Sequence, residues 1–311
     1  HILITGGCGY TGTLLTNDLL KKGHRVTVID TQWFGNYLKK KNNLKIIKKD
    51  IRAIEQVSFK NVDTIVHLAN IANDPSAELN PNLSWEVNVL ATKKLIEKSI
   101  KCKVKHFIFA SSGSVYGIKK EKNVTEDLTL VPISTYNKTK MVAERILKSY
   151  EKQIKIHSIR PATVCGFSPR MRLDVSVNML TFQALKRGII TVFGGKQIRP
   201  NIHIKDLINV YKHFIFNKNL PSGFYNAGFE NLRIIDIAKK ISKIIPSKII
   251  IKKDNDSRSY RQNSDKLLAT GFKQKYSVLN AIEEIKEKYD KKKLKESLKC
   301  YTVKWMKKIK L

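Results

Sequence analysis

Length, composition and charge already narrow the class of protein. The 311 residues, 42% hydrophobic and 27% charged, exclude a wholly disordered chain and are enough for one large α/β domain or two lobes that share a core. The formal net charge is +33, from 59 basic and 26 acidic side chains, and since no apolar run approaches about 18 residues we expect no membrane-spanning helix.

The first half of the chain alternates short apolar runs with amphipathic helical patterns. The strand-like runs fall at 2–5, 25–30, 44–48, 64–68, 106–110 and 154–159. The helical patterns fall at 11–22, 83–100 and 135–150. Alternation of this kind requires right-handed crossovers and predicts a doubly wound α/β fold with a parallel sheet covered by helices.

The character of the chain changes after about Cys165, where Gly166 and Pro169 interrupt the alternation. Helical patterns follow at 206–216 and 234–245, with a strand-like run at 248–251 and a lysine-rich helical stretch at 277–311. We favour a solvated terminal helix with one packed face over a membrane-surface helix. We predict a first domain over 1–165, to which a segment near 199–220 returns, and a smaller α/β substrate lobe over 166–311.

A glycine-rich loop follows the first strand and opens the first helix. Gly7, Gly9 and Gly12 satisfy the pattern GxGxxG, and Gly6 adds a second reading, GxxGxxG. Glycines there allow a tight turn and close approach of the backbone to a diphosphate, which the helix N-terminus attracts. Asp30 ends the second strand at the spacing expected of a ribose-binding carboxylate, so we predict a Rossmann-type domain that binds NAD rather than NADP.

A second group of residues has the pattern of an acid–base site. Tyr136 and Lys140 lie one helical turn apart on a helix that Ser134 can cap, so the ammonium can approach the phenol and lower its pKa. Tyr136 is then a candidate general acid–base. Ser112 follows the strand at 106–110 and is placed to hold the same substrate oxygen, with Ser111 as its rival.

Charge and cysteine content suggest other functions only weakly. The lysines are spread along the chain without a nucleic-acid-binding motif, so we attribute the charge to overall composition, although a DNA binder remains an alternative. The four cysteines lie far apart, with no metal-ligand spacing. We therefore expect reduced thiols, no metal and, because the chain opens on a strand-like run rather than a signal peptide, a cytoplasmic protein.

Taken in order, these motifs resemble the extended short-chain dehydrogenase/reductases, and within them the NAD-dependent nucleotide-sugar epimerases. The resemblance is carried by the glycine loop, Asp30, the Ser112-x-x-Val-Tyr-Gly segment and the Tyr136-x-x-x-Lys140 pair, and it extends over nearly the whole chain. It implies that Tyr136, Lys140 and Ser112 are catalytic.

The resemblance also implies binding residues. Those implied for NAD are Gly6, Gly9, Tyr10, Thr11, Gly12, Asp30, Asp50, Ile51, Leu68, Ala69, Lys140 and Pro161. Those implied for a nucleotide-diphosphate sugar are Ser114, Thr163, Asn178, Arg199 and Arg258. Thr163 stands where the 4-epimerases often carry Asn.

One departure from the family pattern narrows the reaction. The related dehydratases place Asp-Glu directly after the catalytic hydroxyl residue, whereas this chain has Gly113 and Ser114. We therefore predict epimerisation of a nucleotide-diphosphate sugar through a transient keto intermediate, with C4 the favoured carbon. An NAD(P)H-dependent keto-sugar reductase and a nucleotide-sensing regulator on the same fold are the alternatives. The resemblance also implies a homodimer that pairs the helices at 83–100 and 135–150.

Overall fold

The computed structural model describes residues 1–253 and 259–311. The strands, in chain order, are β1 Ile2–Thr5, β2 Val26–Asp30, β3 Leu44–Lys48, β4 Thr64–His67, β5 His106–Ala110, β6 Lys155–Pro161, β7 Thr163–Cys165, β8 Ile189–Phe193, β9 Ile198–His203, β10 Gly223–Ala227, β11 Glu230–Arg233 and β12 Lys248–Lys252. The helices are α1 Tyr10–Lys21, α2 Asp74–Ala77, α3 Pro81–Trp85, α4 Ala91–Lys101, α5 Thr135–Ser149, α6 Ser176–Arg187, α7 Ile204–Phe216, α8 Ile234–Ile244, α9 Asp265–Leu268, α10 Val278–Asp290 and α11 Thr302–Lys308. Short 3₁₀ turns lie at Ile51–Gln56, Gly113–Tyr116 and Leu298–Cys300.

The main sheet is parallel in every pair of neighbouring strands. Within the described residues it has seven strands in the order β10-β6-β5-β4-β1-β2-β3. β1 pairs with β2 on one side and β4 on the other, so the chain builds one half of the sheet and then crosses over to build the other. This is the doubly wound, Rossmann-type arrangement, and the predicted fold class is confirmed.

Helices cover both faces of the main sheet. On β1, Ile2 and Ile4 contribute to the apolar layer with α1 and α7, while Leu3 contributes to the layer with α4 and α5. Strands that are buried on both faces need apolar residues at nearly every position, which explains the continuous apolar runs of the first half. The two layers fix the strand ends, and with them the residues that directly follow the strands.

The second half of the chain adds two smaller sheets and one strand of the main sheet. β11, β9 and β7 form a three-stranded sheet, and β12 pairs with β8. Helices α6, α8 and α10 pack over a separate apolar core. β10 pairs with β6, beyond the segment 199–220 that was expected to return, and α7 packs on the main sheet. The division at residue 165 stays a prediction.

Two predicted helical stretches are interrupted. The stretch at 83–100 consists of α3, a π-helical turn at Glu86–Leu90, and α4. The terminal stretch consists of α10 and α11, joined by a link that contains a short 3₁₀ turn. Trp305 Nε1 donates to the Trp33 carbonyl oxygen at 2.6 Å, so α11 is fixed against the loop after β2. In the part of the chain that the structure describes, no helix combines the length and apolarity needed to cross a bilayer.

His67, His106 and His157 are buried in the fold, each within hydrogen-bonding distance of a polar side chain. His67 lies between Thr5 Oγ1 at 2.6 Å and Thr92 Oγ1 at 2.8 Å, and His106 Nε2 lies 2.7 Å from His157 Nδ1. Burial lowers the pKa of His67 and His106 to about 3 and that of His157 to about 4. All three are therefore neutral in the folded protein at pH values where the unfolded chain is protonated.

We expect the free energy of unfolding to fall as the pH drops below about 6.5, the ordinary pKa of histidine. Above that pH the three side chains are neutral in both states and add no pH dependence. Below it the unfolded chain binds protons that the folded chain excludes, which costs about 2 kcal/mol for each histidine by pH 5. Urea unfolding at several pH values between 7 and 5 measures how the free energy of unfolding depends on pH. His106→Asn should reduce this pH dependence by about a third. Protonation of these histidines in the folded protein at pH 6, seen by NMR, would contradict the prediction.

Candidate active site

A cavity of about 810 Å³ opens at the carboxyl ends of the main-sheet strands. Residues at or just beyond strand ends line it, including Gly6 after β1, Asp30 of β2, Leu68 after β4 and Ser111 after β5. Ligands of open parallel sheets bind at this edge, where the connections of the two halves diverge. Most of the predicted cofactor and catalytic residues lie on this one wall, which makes the cavity the candidate site.

The loop between β1 and α1 is shaped to receive a phosphate group. Gly6 has φ +73°, a backbone conformation that favours glycine. A Cβ on Gly12 would lie 2.2 Å from the Gly6 carbonyl oxygen, so only glycine lets the helix begin this close to the loop. Gly9 precedes α1 and offers no capping side chain. The helix N-terminus therefore presents N–H groups and a positive dipole to the cavity, which fits the diphosphate of a dinucleotide.

Asp30 is fixed beside this loop by two backbone hydrogen bonds. Its Oδ2 accepts from Cys8 N at 2.9 Å and its Oδ1 accepts from Gln32 N at 2.7 Å. Burial raises the pKa of the carboxyl group, and the two N–H donors act in the opposite direction. A carboxylate in this position accepts hydrogen bonds from ribose hydroxyls and repels a 2′-phosphate.

We expect NAD to bind at least about 100-fold more tightly than NADP, because the Asp30 carboxylate lies where the extra phosphate would be placed. Asp30→Asn should reduce the ratio of NAD to NADP affinity, because it weakens NAD binding and leaves NADP binding unchanged. Isothermal titration with both dinucleotides measures the ratio, and Glu151→Gln, at an exposed position after α5, is the matched control. Equal dissociation constants for NAD and NADP in the unmodified protein would refute the role of Asp30.

The structure divides the predicted cofactor residues into two groups, those that line the cavity and one that does not. Those that line the cavity are Gly6, Gly9, Tyr10, Thr11, Gly12, Asp30, Asp50, Ile51, Leu68, Ala69 and Pro161. Tyr10 directs its hydroxyl away from a ligand, since it donates to the Gly166 carbonyl oxygen at 2.6 Å. Lys140 lies behind the wall, 1% exposed, and its Nζ donates to the Ala110 carbonyl oxygen at 2.7 Å. Any contact of Lys140 with a cofactor ribose stays a prediction.

The structure brings the three predicted catalytic residues together. Ser134 caps α5 by accepting from Asn137 N at 3.2 Å, which places Tyr136 in the first turn at the cavity wall. One turn later, Lys140 Nζ lies 5.9 Å from the centroid of the Tyr136 ring. Ser112 follows β5 at the same wall, and its Oγ lies 2.8 Å from Ser114 Oγ.

The electrostatics of this group differ from the expectation. Burial raises the pKa of Tyr136 to about 12, while a hydrogen bond with Ser112 and the charge of Arg172 lower it. Burial lowers the pKa of Lys140 to about 7, against the opposite effect of Glu144. The prediction that the Tyr136 pKa is lowered toward neutral pH is wrong for this structure, because burial outweighs the groups that lower it.

The predicted substrate residues are only partly brought together. Ser114, Thr163 and Arg199 line the cavity. Asn178 is 0% exposed and does not line the cavity. The structure therefore does not place its side chain in contact with a substrate, contrary to the sequence prediction. Its Oδ1 accepts from Gly166 N at 2.9 Å and its Nδ2 donates to the Tyr10 hydroxyl at 3.0 Å, which ties the loop after β7 to α1. Arg258 lies outside the described residues.

Several cavity residues escaped the sequence analysis. The loop after β7 contributes Arg170, Arg172 and Asp174, and the C-terminal segment contributes Tyr301–Lys304 and Met306. The Arg-x-Arg-x-Asp run is visible in the sequence, but it matches no spacing that points to a ligand. The C-terminal wall depends on long-range contacts, among them Thr302 N donating to Asp174 Oδ2 at 2.8 Å, for which no local signal exists.

Comparison with known proteins identifies related chains. The family model described as "NAD dependent epimerase/dehydratase family" matches residues 2–228. A UDP-glucose 4-epimerase of Lactobacillus helveticus is 28% identical over 312 residues, which cover 90% of this chain and 94% of the relative. A UDP-glucuronic acid decarboxylase 1 of Danio rerio is 30% identical over 265 residues, which cover 80% of this chain and 61% of the relative.

A solved structure agrees with both the fold and the cofactor. The UDP-glucuronic acid 4-epimerase from Bacillus cereus, in complex with UDP-glucuronic acid and NAD, is 26% identical and superposes with a TM-score of 0.80. The match covers 92% of this chain and 99% of that one. The glycine loop, Asp30 and the cavity of this chain fit the same cofactor, NAD.

Proposed function

Because this chain belongs to the NAD-dependent epimerase/dehydratase family, we propose that it epimerises a nucleotide-diphosphate sugar at C4 through a transient keto intermediate. The observation that carries the proposal is the meeting of Ser112 and Tyr136 at the wall that also holds the glycine loop and Asp30. Gly113 and Ser114 occupy the positions after Ser112, where the dehydratases have acidic residues. This supports oxidation and re-reduction at one carbon over loss of water.

Tyr136 moves the proton in the proposed reaction. When bound, NAD would supply hydride transfer at the sugar carbon in both directions. As a phenolate, Tyr136 Oη takes the hydroxyl proton while the keto group forms, and it returns that proton after the keto sugar has rotated to present its opposite face. Since burial raises the Tyr136 pKa to about 12, the phenolate needs stabilising groups, and those that lower the pKa are the Ser112 hydroxyl and the Arg172 guanidinium.

Arg172 is held in place for this role. Its Nε donates to Asp174 Oδ1 at 2.8 Å, and Asp174 Oδ2 in turn accepts from Thr302 N at 2.8 Å. Burial acts to lower the Arg172 pKa, but the charge and hydrogen bond of Asp174 raise it above the ordinary value, so the guanidinium is a fixed positive charge near Tyr136. Ser112 and Ser114 form a hydroxyl pair that orients the reacting oxygen.

Arg199 and Thr163 are proposed to hold the nucleotide-diphosphate part of the sugar donor. Both line the cavity, Thr163 on β7 and Arg199 on β9. An arginine binds a diphosphate through charge-assisted hydrogen bonds, which leaves the sugar free to rotate about its linkage. The lining of the cavity of about 810 Å³ extends from the glycine loop to Thr163 and Arg199, so cofactor and substrate residues face the same space.

An isotope experiment tests the proposal. UDP-glucose and UDP-glucuronic acid, the sugars named in the relatives, are prepared with deuterium at C4 and incubated with the purified protein without added cofactor. We expect C4 epimers that keep the label, because the same hydride returns to the carbon it left. Consumption of external NAD(P)H with a keto sugar would overturn the proposal in favour of a reductase. Release of carbon dioxide from UDP-glucuronic acid would overturn it in favour of a decarboxylase.

We also propose a homodimer in which the face formed by α4 and α5 of one chain packs against the same face of a second chain. Trp85 and Leu90, at the start of this face, are 37% and 55% exposed. Light scattering should give about twice the 35.6 kDa chain mass, and Leu90→Lys should shift the protein toward the monomer. Ile251→Lys, at a residue 61% exposed on the smaller sheet, is the control. A monomer at micromolar concentration in the unmodified protein would contradict the proposal.

A further inference from the structure

Arg170 carries a buried guanidinium, two nitrogens of which have no hydrogen-bond partner among the described residues. The residue is 4% exposed, and within the described residues nothing pairs with its Nε or Nη1. The guanidinium lies 4.0 Å from the centroid of the Phe34 ring, in the loop after β2. Burying a cation without an acceptor is costly, so an arginine in this state is suited to an anion that enters the cavity it lines.

The neighbouring acids are engaged elsewhere. Asp174 accepts from Arg172 Nε and from Thr302 N. Asp30 accepts from Cys8 N and Gln32 N, although the charge of Arg170 still lowers its pKa. Burial, together with the charge of Arg172, lowers the pKa of Arg170 to about 10, which leaves the guanidinium positively charged at neutral pH.

Arg170 is held next to the dinucleotide half of the cavity. Ser168 Oγ donates to the Tyr10 carbonyl oxygen at 2.8 Å, and the Tyr10 hydroxyl donates to the Gly166 carbonyl oxygen at 2.6 Å. These two bonds fix the loop that carries Arg170 against the first turn of α1. Phe34, on which Arg170 stacks, follows Asp30 by four residues.

We propose that Arg170 binds the diphosphate of the NAD cofactor from the wall formed by the loop after β7. The glycine loop and the start of α1 offer neutral N–H donors, and Arg170 would supply the full positive charge that two phosphate groups require. Stacking on Phe34 holds the guanidinium plane and lowers the entropy lost on binding. This role depends on NAD as the cofactor and not on which carbon the enzyme acts on, so it can fail or hold independently of C4 epimerisation.

Ligand fragments test the proposal on protein from which the cofactor has been removed. Dissociation constants are measured by calorimetry for NAD, ADP, adenosine, UDP and NADP, with Arg170→Gln, Arg170→Lys and the exposed Arg187→Gln as variants. We expect Arg170→Gln to weaken NAD and ADP by about the same factor, 10- to 100-fold, and to leave adenosine unchanged. Arg170→Lys should recover part of the loss, and Arg187→Gln should have no effect.

Other patterns of loss would overturn the proposal. A loss of adenosine affinity by the same factor as the loss for NAD and ADP would show that Arg170 only supports packing around Phe34. A loss of affinity for UDP rather than for ADP would show that Arg170 binds the sugar donor. A loss of affinity for NADP alone would show that it binds a 2′-phosphate. Thermal unfolding of each variant without ligand establishes that it is folded, and Arg170→Met, which keeps the length of the stem, replaces Arg170→Gln if the latter unfolds.

Discussion

Replacing Tyr136 by phenylalanine is expected to reduce turnover by about 10²–10⁴-fold and to leave NAD affinity unchanged. The substitution removes only the hydroxyl that carries the proton, and the ring still fills its place beside Lys140 and at the cavity wall. Burial raises the Tyr136 pKa to about 12, so only the minor phenolate form accepts the sugar proton, and the substitution abolishes that form. Single-turnover rates and calorimetry with NAD separate the two expectations.

The matched control for this substitution is Tyr150→Phe. Tyr150 follows the last turn of the same helix, and its hydroxyl donates to Glu97 Oε1 at 2.9 Å in a partly buried hydrogen bond. Removing that hydroxyl should leave turnover within about twofold of the unmodified protein, because Tyr150 is not part of the cavity lining. A Tyr136→Phe variant that retains near-normal turnover would show that another group transfers the proton.

The local motifs were predictable because each depends on a short stretch of sequence. The strands follow from apolar runs that are buried on both faces, and the glycine loop follows from a turn that excludes side chains. Tyr136 and Lys140 could be paired because one helical turn fixes their separation. Ser112 could be placed because it lies two residues beyond the end of a strand of a parallel sheet.

Residues whose position depends on long-range contacts were not predictable. The family resemblance implied that Asn178 contacts the substrate, yet the structure buries its side chain, which is hydrogen-bonded to Tyr10 and Gly166. Arg170 and Arg172 reach the cavity because the loop that carries them is bonded to α1 and to the C-terminal segment, more than a hundred residues away in each direction. The Tyr136 pKa was not predictable for the same reason, since burial is a property of the whole fold and outweighs the groups that lower the pKa, Ser112 and Arg172.

Replacing Gly12 by alanine is expected to lower the free energy of unfolding by about 3 kcal/mol, the upper end for an overpacked site. A Cβ at this position would lie 2.2 Å from the Gly6 carbonyl oxygen and 2.7 Å from the Gly7 Cα. Both are backbone atoms, so the contact cannot be relieved by turning a side chain, and α1 must move away from the loop. Urea unfolding of the cofactor-free protein measures the loss.

Gly9→Ala is the matched control for this prediction, because its Cβ would meet only the Gly6 carbonyl oxygen, at 3.2 Å. We expect it to cost less than about 1 kcal/mol in stability. In Gly12→Ala, NAD affinity should fall together with stability, since the displaced helix no longer directs its N-terminal N–H groups at the diphosphate. A Gly12→Ala protein as stable as Gly9→Ala would mean that the start of α1 can shift without cost, and the close approach of loop and helix would then not explain why glycine stands there.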